Sequence, residues 1–338
     1  MRFRVLCSYH FFRTHNIAKL VERLTVNGLP PDIFVDSGAF SAASIGAEVS
    51  FDGYCEWIAK WREHFTVYST LDVIGNAGAT QRNTEEMERQ GFAPLPVVHF
   101  GTDLRRLDVL AERYRYIALG GMVGRGLPST MKFVAACFAR TNPACTVFHG
   151  FGMTSTRMLM NFPWYSVDSS SWSSAYRFGS LKLFDQRNGA WATIAIRSPK
   201  AWAKHPWVNA QYGMGPRDFV GENWHHTKAA KIAAMQFFAS ERWLRRRWGI
   251  VSLPCGEWPT VLDEVGGLRA YSAIGGAGND QQDAAREGVR CYAASTALRH
   301  PSTAAASAEG LRTYLAVGTG DVYERADRVV DGLSSSPF

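Results

Sequence analysis

The stretch DIFVDSGAF, residues 32–40, is an apolar strand-like run that ends in Asp-Ser-Gly. The stretch WYSVDSSSW, residues 164–172, repeats this arrangement, with Asp-Ser and further small residues after an apolar run. Continuous apolar runs are typical of parallel strands that are covered on both faces. The two stretches therefore favour a parallel sheet whose buried strands end in polar groups.

Eight such runs follow one another along the first half of the chain, and helix-like segments separate them. Residues 51–64 are one of these segments, with Tyr54, Trp57, Ile58 and Trp61 at helical spacing. The predicted strands are 3–9, 32–36, 66–74, 95–100, 115–120, 145–149, 164–168 and 180–184. Eight strands alternating with helices predict an α/β fold, a (β/α)8 TIM barrel.

The pattern changes after the eighth run. Residues 186–225 are rich in Trp, Gly and Pro and weakly periodic, so we expect an insertion there. We expect the catalytic barrel to span residues 1–255. Residues 256–338 are predicted to form a mostly helical C-terminal extension that packs on the barrel, with helices at 284–299 and 307–331.

Composition narrows the class of protein. The chain has 338 residues, of which 46% are hydrophobic, so a large core is expected. No run of about 18 uncharged apolar residues occurs, so we expect no membrane span. The six cysteines form no CxxC or CxC pair, which predicts reduced thiols in a cytoplasmic protein without a zinc cluster or other metal. The net charge of +7, mostly from arginine, is compatible with a nucleic-acid partner.

Asp36 and Asp168 are the first candidates for chemistry. In a barrel, the carboxyl ends of the strands meet at one face, where active sites form. One carboxylate can attack a sugar anomeric carbon while the other donates and accepts a proton. The alternative is that each Asp-Ser pair caps the helix that follows it.

Other strand ends carry further candidates. Asp72 can accept two N–H bonds from a purine-like edge, or it is a buried aspartate bonded to backbone. Gly120 and Gly121 allow a flat ligand to reach backbone groups. His149 can lie against a planar ring, although a lone interior histidine is more often structural. His99 ends the fourth predicted strand.

Five short motifs carry a family resemblance: FVDSGAF, LDVIG, ALGGMVG, HGFGM and YSVDSSSW, in that order. Together they resemble the tRNA-guanine transglycosylase superfamily. The set is most similar to its phage branch, the DpdA-type 7-deazaguanine DNA transglycosylases. The resemblance covers roughly residues 30–185.

The resemblance implies base exchange on double-stranded DNA, in which a free 7-deazaguanine base replaces guanine and protects phage DNA from restriction. It implies that Asp168 is the nucleophile and Asp36 the acid and base. It also implies a base-binding set; its members are Phe40, Asp72, His99, Gly120, Gly121, Met122, His149 and Gly150. The tRNA enzymes carry a glutamine at the position of His99. No cofactor is implied, and a phage-encoded enzyme would work in the host cytoplasm.

One departure from the family bears on the substrate. The tRNA enzymes bind zinc through a CxCxxC motif and a later histidine, and this sequence has no such motif. The departure favours the DNA-acting branch. Arginine and lysine bind phosphate groups, and the candidates for DNA contacts are Arg177, Arg187, Arg197 and Lys200.

Three other functions use the same residues. The first is a tRNA base exchanger that lacks zinc, and the second is a barrel nucleoside or glycoside hydrolase that uses both carboxylates. The third is a barrel that binds nucleic acid without catalysis. Two close carboxylates disfavour this last alternative because they repel phosphate.

Overall fold

The computed structural model describes residues 4–142, 145–153, 155–168, 179–219 and 226–248, together with short strands between residues 265 and 313. The chain alternates strands and helices over its first 168 residues, which confirms an α/β fold with a parallel sheet. Within the described residues, no helix has the length and apolarity needed to cross a membrane.

Seven of the predicted strands lie in the main sheet. They are β1 (Arg4–Ser8), β2 (Asp32–Asp36), β3 (Val67–Tyr68), β4 (Val97–His99), β5 (Tyr116–Gly120), β6 (Val147–Gly150) and β7 (Ser166–Asp168). The helices between them are α1 (Tyr9–Phe12), α2 (Ile17–Leu24), α3 (Ala39–Ser44), α4 (Phe51–Trp61), α5 (Ala77–Arg89), α6 (Arg105–Arg113), α7 (Leu127–Arg140) and α8 (Thr156–Asn161).

Helix α4 shows why these segments fold as predicted. The Ser50 hydroxyl accepts a hydrogen bond from the Gly53 N–H at 3.2 Å and caps the helix. Tyr54, Trp57 and Ile58 then fall on the buried face. The Tyr54 hydroxyl donates to the Ser69 carbonyl at 2.8 Å, so the helix is tied to the chain just after β3.

The eighth strand of the main sheet is not the one that the sequence predicts. Residues 180–184 do form a strand, β8 (Ser180–Asp185), but it pairs antiparallel with β9 (Ala190–Ala195) in a separate hairpin. Leu181 and Leu183 are buried on one face and Lys182 lies on the other. This alternation is typical of an antiparallel strand with one covered face, so the prediction of a barrel strand here was wrong.

The hairpin has its own small core. Leu181, Leu183 and Ile194 pack with Trp202 of α9 (Pro199–Ala203) and Val208 of α10 (Trp207–Tyr212). The long helix α11 (His226–Trp248) contacts β8, and its Phe237 lies 4.9 Å from the Trp191 ring. The segment expected to be a weakly periodic insertion is therefore an ordered unit where it is described.

The place expected for β8 is taken by a strand from the C-terminal part of the chain. After β10 (Val265–Gly266), strand β11 (Arg269–Ile274) pairs in parallel with β1 on one side and with β7 on the other. The strand order is β3-β2-β1-β11-β7-β6-β5-β4. A parallel bridge between Ser69 and Leu95 joins the two ends of this order.

Three further short strands follow: β12 (Ala293–Ala294), β13 (Ala297–Leu298) and β14 (Arg312–Thr313). They fall within the helices expected at 284–299 and 307–331, so those helices are wrong at these positions. The division of the chain at residue 255 stays a prediction, although β11 belongs to the main sheet.

Candidate active site

A cavity of about 360 Å³ opens at the carboxyl ends of β2 to β6. Small-ligand sites in proteins occupy roughly 300–1,000 Å³. The residues that line this cavity are Asp36, Ser37, Ala39, Phe40, Asp72, Ile74, Gly75, His99, Phe100, Gly120, Gly121, Val123, Gly124, Arg125, Phe151 and Gly152. Six of them are residues that the sequence predicts for the site, and the structure brings these six together around one cavity.

The end of β2 positions Asp36. Gly38 adopts a left-handed conformation (φ +74°), and a Cβ there would lie 2.3 Å from the Ser8 hydroxyl oxygen. Glycine is therefore required at the turn between β2 and α3. Gly38 occupies the N-cap position of α3, and the Ser37 hydroxyl accepts a hydrogen bond from the Ala39 N–H at 3.4 Å. Asp36 is 6% exposed and lines the cavity.

Helix α5 holds the segment that carries Asp72. The Asn83 side-chain amide donates to the Leu71 carbonyl at 2.9 Å, and the Val73 N–H donates to the Thr80 hydroxyl at 2.9 Å. These bonds fix the backbone on both sides of Asp72. One carboxylate oxygen, Oδ2, lies 3.2 Å from Nε2 of His99.

The contact with Asp72 changes the acidity of His99. Burial alone lowers the pKa of His99, but the hydrogen bond to Asp72 and its negative charge outweigh burial and raise the pKa above 6.5. The second oxygen of Asp72, Oδ1, is buried and accepts no hydrogen bond from the described residues. Asp72 and His99 both line the cavity, so a carboxylate and an imidazole in mutual contact form part of its wall.

The end of β5 forms the part of the cavity wall next to His99. A Cβ on Gly120 would lie 3.2 Å from Val97 and 3.4 Å from the His99 ring, so the strand end approaches this imidazole closely. Gly121 has a φ of +71° and directs the chain back along the cavity. Met122 is 5% exposed and does not line the cavity.

Ten of the sixteen lining residues were not predicted from the sequence, among them Phe100, Arg125 and Phe151. Phe100 and Arg125 lie together, with the guanidinium 5.4 Å from the ring centroid. Phe151, just after β6, forms the part of the cavity wall that we call the floor. Phe151 and Arg125 lie in or next to the motifs HGFGM and ALGGMVG, so their positions carried a signal, but an aromatic or an arginine there does not by itself indicate a site.

His149 lies beneath this floor. Its ring is 0% exposed, stacks on Phe34 at 4.6 Å and meets Phe151 edge-on at 4.6 Å. Its Nδ1 lies 2.6 Å from the Ser166 hydroxyl, which also contacts the Tyr116 hydroxyl. Burial lowers the pKa of His149 well below 6.5, so the ring is neutral. His149 is not among the residues that line the cavity, whereas Phe40 is, and a sandwich of a base between Phe40 and His149 stays a prediction.

Asp168 ends β7 and is fully buried. It is not among the lining residues, but it borders one of them. A Cβ built on Gly152 would lie 3.9 Å from Oδ2 of Asp168 and 2.6 Å from the Val123 side chain. Gly152 is therefore the lining residue that lies next to the buried Asp168 carboxylate. Gly150, also predicted to bind the base, is buried against Trp164 instead.

Three of the four predicted DNA-contacting residues are described, and none of these three lines the cavity. Arg187 lies in the β8–β9 turn, paired with Asp185 at 2.6 Å and 5.7 Å from the Trp207 ring centroid. Arg197 and Lys200 are exposed just after β9. The fourth, Arg177, lies outside the described residues. Their role in DNA binding stays a prediction.

No protein-family model matches the chain, and no curated protein sequence matches it either.

Proposed function

We propose that this protein exchanges a base in DNA, replacing guanine with a 7-deazaguanine derivative such as 7-cyano-7-deazaguanine. The observation that carries the proposal is a single cavity with Asp36 and Asp72 in its wall and the Asp168 carboxylate behind Gly152. Enzymes that displace a group at a sugar anomeric carbon with retention of configuration use two carboxylates. We propose that Asp72, a third carboxylate, reads the base.

We propose a closed (β/α)8 barrel as the finer fold. Two observations support it: the eight parallel strands follow one another in a single order, and the Ser69–Leu95 bridge joins its ends. In such a barrel the carboxyl ends of the strands surround one mouth. Asp36 and Asp168, on strands separated by β1 and β11, then face the same ligand.

In the first step, the guanine nucleotide is flipped from the duplex into the cavity, at a cost of a few kcal/mol that base contacts offset. A carboxylate oxygen of Asp168 attacks the deoxyribose C1′. The bond from C1′ to the guanine nitrogen breaks, its electron pair stays on the base, and Asp36 donates the proton that guanine takes with it. The product is a covalent deoxyribosyl ester of Asp168.

In the second step, the free 7-deazaguanine enters as guanine departs. Asp36, now a carboxylate, removes the proton from its glycosidic nitrogen. This nitrogen attacks C1′, and Asp168 leaves as a carboxylate. Two displacements retain the configuration at C1′, and the proton balance of Asp36 is restored. We place this activity in the cytoplasm, where DNA and the free base meet.

The test is mass spectrometry of nucleosides from duplex DNA incubated with the protein and a panel of 7-deazaguanines. We expect the wild-type protein to incorporate at least one of them. Asp168→Asn and Asp36→Asn should each lower incorporation by at least about 10³-fold, because each removes one of the reacting carboxylates. Asp103→Asn is the matched control, since Asp103 is exposed and paired with Arg105 away from the cavity.

Other outcomes point to other functions. Incorporation into tRNA but not DNA would assign the zinc-free tRNA exchanger. Release of free base without incorporation would assign a nucleoside hydrolase. Normal incorporation by Asp168→Asn would overturn the assignment of Asp168 as the nucleophile.

A further inference from the structure

The mouth of the cavity has a rim of four exposed side chains. We define this mouth rim as Phe40, Ile74, Val123 and Arg125, all of which line the cavity. The three apolar members are 41%, 45% and 53% exposed. Scattered surface apolar residues need no explanation, but three around one opening indicate a surface that a ligand covers.

Arg125 is the one arginine or lysine among the described residues that line the cavity. Two aspartates, Asp36 and Asp72, lie in the same wall, yet Arg125 forms no ion pair with any described residue. Its guanidinium lies over Phe100 instead, at 5.4 Å from the ring centroid. A cation that lies over an aromatic ring keeps its outward N–H donors available.

Contacts on both sides hold Arg125 in position. Phe100 is braced by the Phe133 ring of α7, 5.3 Å away and edge-on, and its N–H donates to the Gly120 carbonyl at 2.9 Å. Gly124 has a φ of +78°, and the Arg125 N–H donates to the Met122 carbonyl at 3.1 Å. This tight turn holds the arginine over its platform.

We propose that Arg125 binds a backbone phosphate next to the nucleotide whose base enters the cavity. The inference rests on the proposed function, because it assigns the polymer strand at that same site. A cavity of about 360 Å³ takes a base and its sugar, so the flanking phosphates remain at the mouth. A guanidinium suits phosphate because its planar fork donates two parallel hydrogen bonds.

The test is binding of a fluorescent DNA oligonucleotide, measured by anisotropy between about 50 and 200 mM salt. Loss of one phosphate contact should make the slope of log affinity against log salt shallower by roughly 0.7 to 0.9 in Arg125→Ala. Arg125→Lys should keep the wild-type slope, because the charge remains. Lys60→Ala is the matched control: Lys60 also lies over an aromatic ring, Trp61 at 5.0 Å, but on α4 away from the cavity.

Binding of the free 7-deazaguanine base, measured by calorimetry, should be the same in wild type and Arg125→Ala. An unchanged salt slope in Arg125→Ala would overturn the inference, as would a wild-type protein that binds RNA but not DNA. A loss of base affinity with no change in slope would place Arg125 on the base instead. A shallower slope in a protein that exchanges no base would support the phosphate contact and reject the proposed function.

Discussion

His99 and His149 lie on two halves of one site, and their pKa values are shifted in opposite directions. His99, on the open half formed by β2 to β5, lines the cavity, and Asp72 raises its pKa. His149, on the covered half formed by β6 and β7, lies under Phe34 and Phe151, and burial lowers its pKa. Both histidines come from strands of the same parallel sheet.

The difference shows how a neighbouring carboxylate and the exclusion of water each change the pKa of a buried histidine. On the open half, the cost of charging a buried imidazole is offset by a carboxylate at 3.2 Å. On the covered half, the partner of Nδ1 is the neutral hydroxyl of Ser166, so the neutral ring is favoured. Asp168 lies in this covered half, where electrostatic interactions are strong because water is excluded.

The largest expected effect comes from adding a side chain at Gly152, between the cavity and Asp168. In Gly152→Ala the new methyl group would lie 2.6 Å from Val123 and 3.9 Å from the Asp168 carboxylate, at a φ of +66°. We expect base exchange to fall by at least about 10²-fold, because small displacements of reacting groups cost this much. Gly101→Ala is the control: its φ is +86°, but nothing lies within 4 Å of the added methyl.

Both glycine variants should lose about 1–2 kcal/mol of unfolding free energy from the left-handed backbone, measured by urea denaturation. Equal exchange rates in the two variants would show that the free space at residue 152 is not needed for base exchange.

The covered half is tested by His149→Gln. At pH 7.5 we expect a loss of about 1–3 kcal/mol in unfolding free energy, since the ring stack and the Ser166 bond are disturbed. The folded-state pKa of His149 is depressed, so the wild-type protein itself loses stability as the pH falls below 6.5. The gap between the two proteins should therefore narrow below pH 6.5.

Urea denaturation from pH 5 to pH 7.5 measures this gap. His205→Gln, at a partly exposed histidine, should cost less than about 0.5 kcal/mol at pH 7.5. A constant gap between wild type and His149→Gln across the range would show that His149 is not held neutral.

The open half gives the smallest effect, in Asp72→Asn. Because burial remains while the charge is lost, the pKa of His99 should fall below 6.5, as measured by NMR titration of its ring proton. The raised pKa in the wild type adds stability that is full below pH 6.5 and is lost as the pH rises through the folded-state pKa. The stability advantage of wild type over Asp72→Asn should shrink over that rise.

Asp103→Asn should leave the His99 titration unchanged, since its carboxylate pairs with Arg105 on the surface. A His99 ring that still titrates above 6.5 in Asp72→Asn would remove Asp72 as the cause.

The sequence predicts the strands of this fold better than their pairing. Seven predicted strands lie in the parallel sheet because their continuous apolar runs are buried on both faces. The run at 180–184 is apolar too, but its alternation with Lys182 belongs to a hairpin. The true partner of β1 and β7, RAYSAI at 269–274, carries an arginine and a serine and gives a weak apolar signal.

The site shows the same division. Asp36, Asp72, His99, Gly120 and Gly121 line the cavity, as their places at strand ends indicate. Which aromatic ring faces the ligand was not predictable, because Phe34, His149 and Phe151 follow the same local rules and differ in what packs above them. For the same reason Arg125 was missed: its place over Phe100 depends on a contact between two separate loops.

The sequence was sufficient to predict buried parallel strands that end in carboxylates, imidazoles and glycines, because apolar runs and turn residues are local patterns of a few positions. Which half of the site is open and which is covered could be seen only in the tertiary structure. Exposure and pKa depend on neighbours far apart in the chain, such as Asp72 beside His99 and Phe34 above His149. Gly152 beside Asp168 is the contact that connects the two halves.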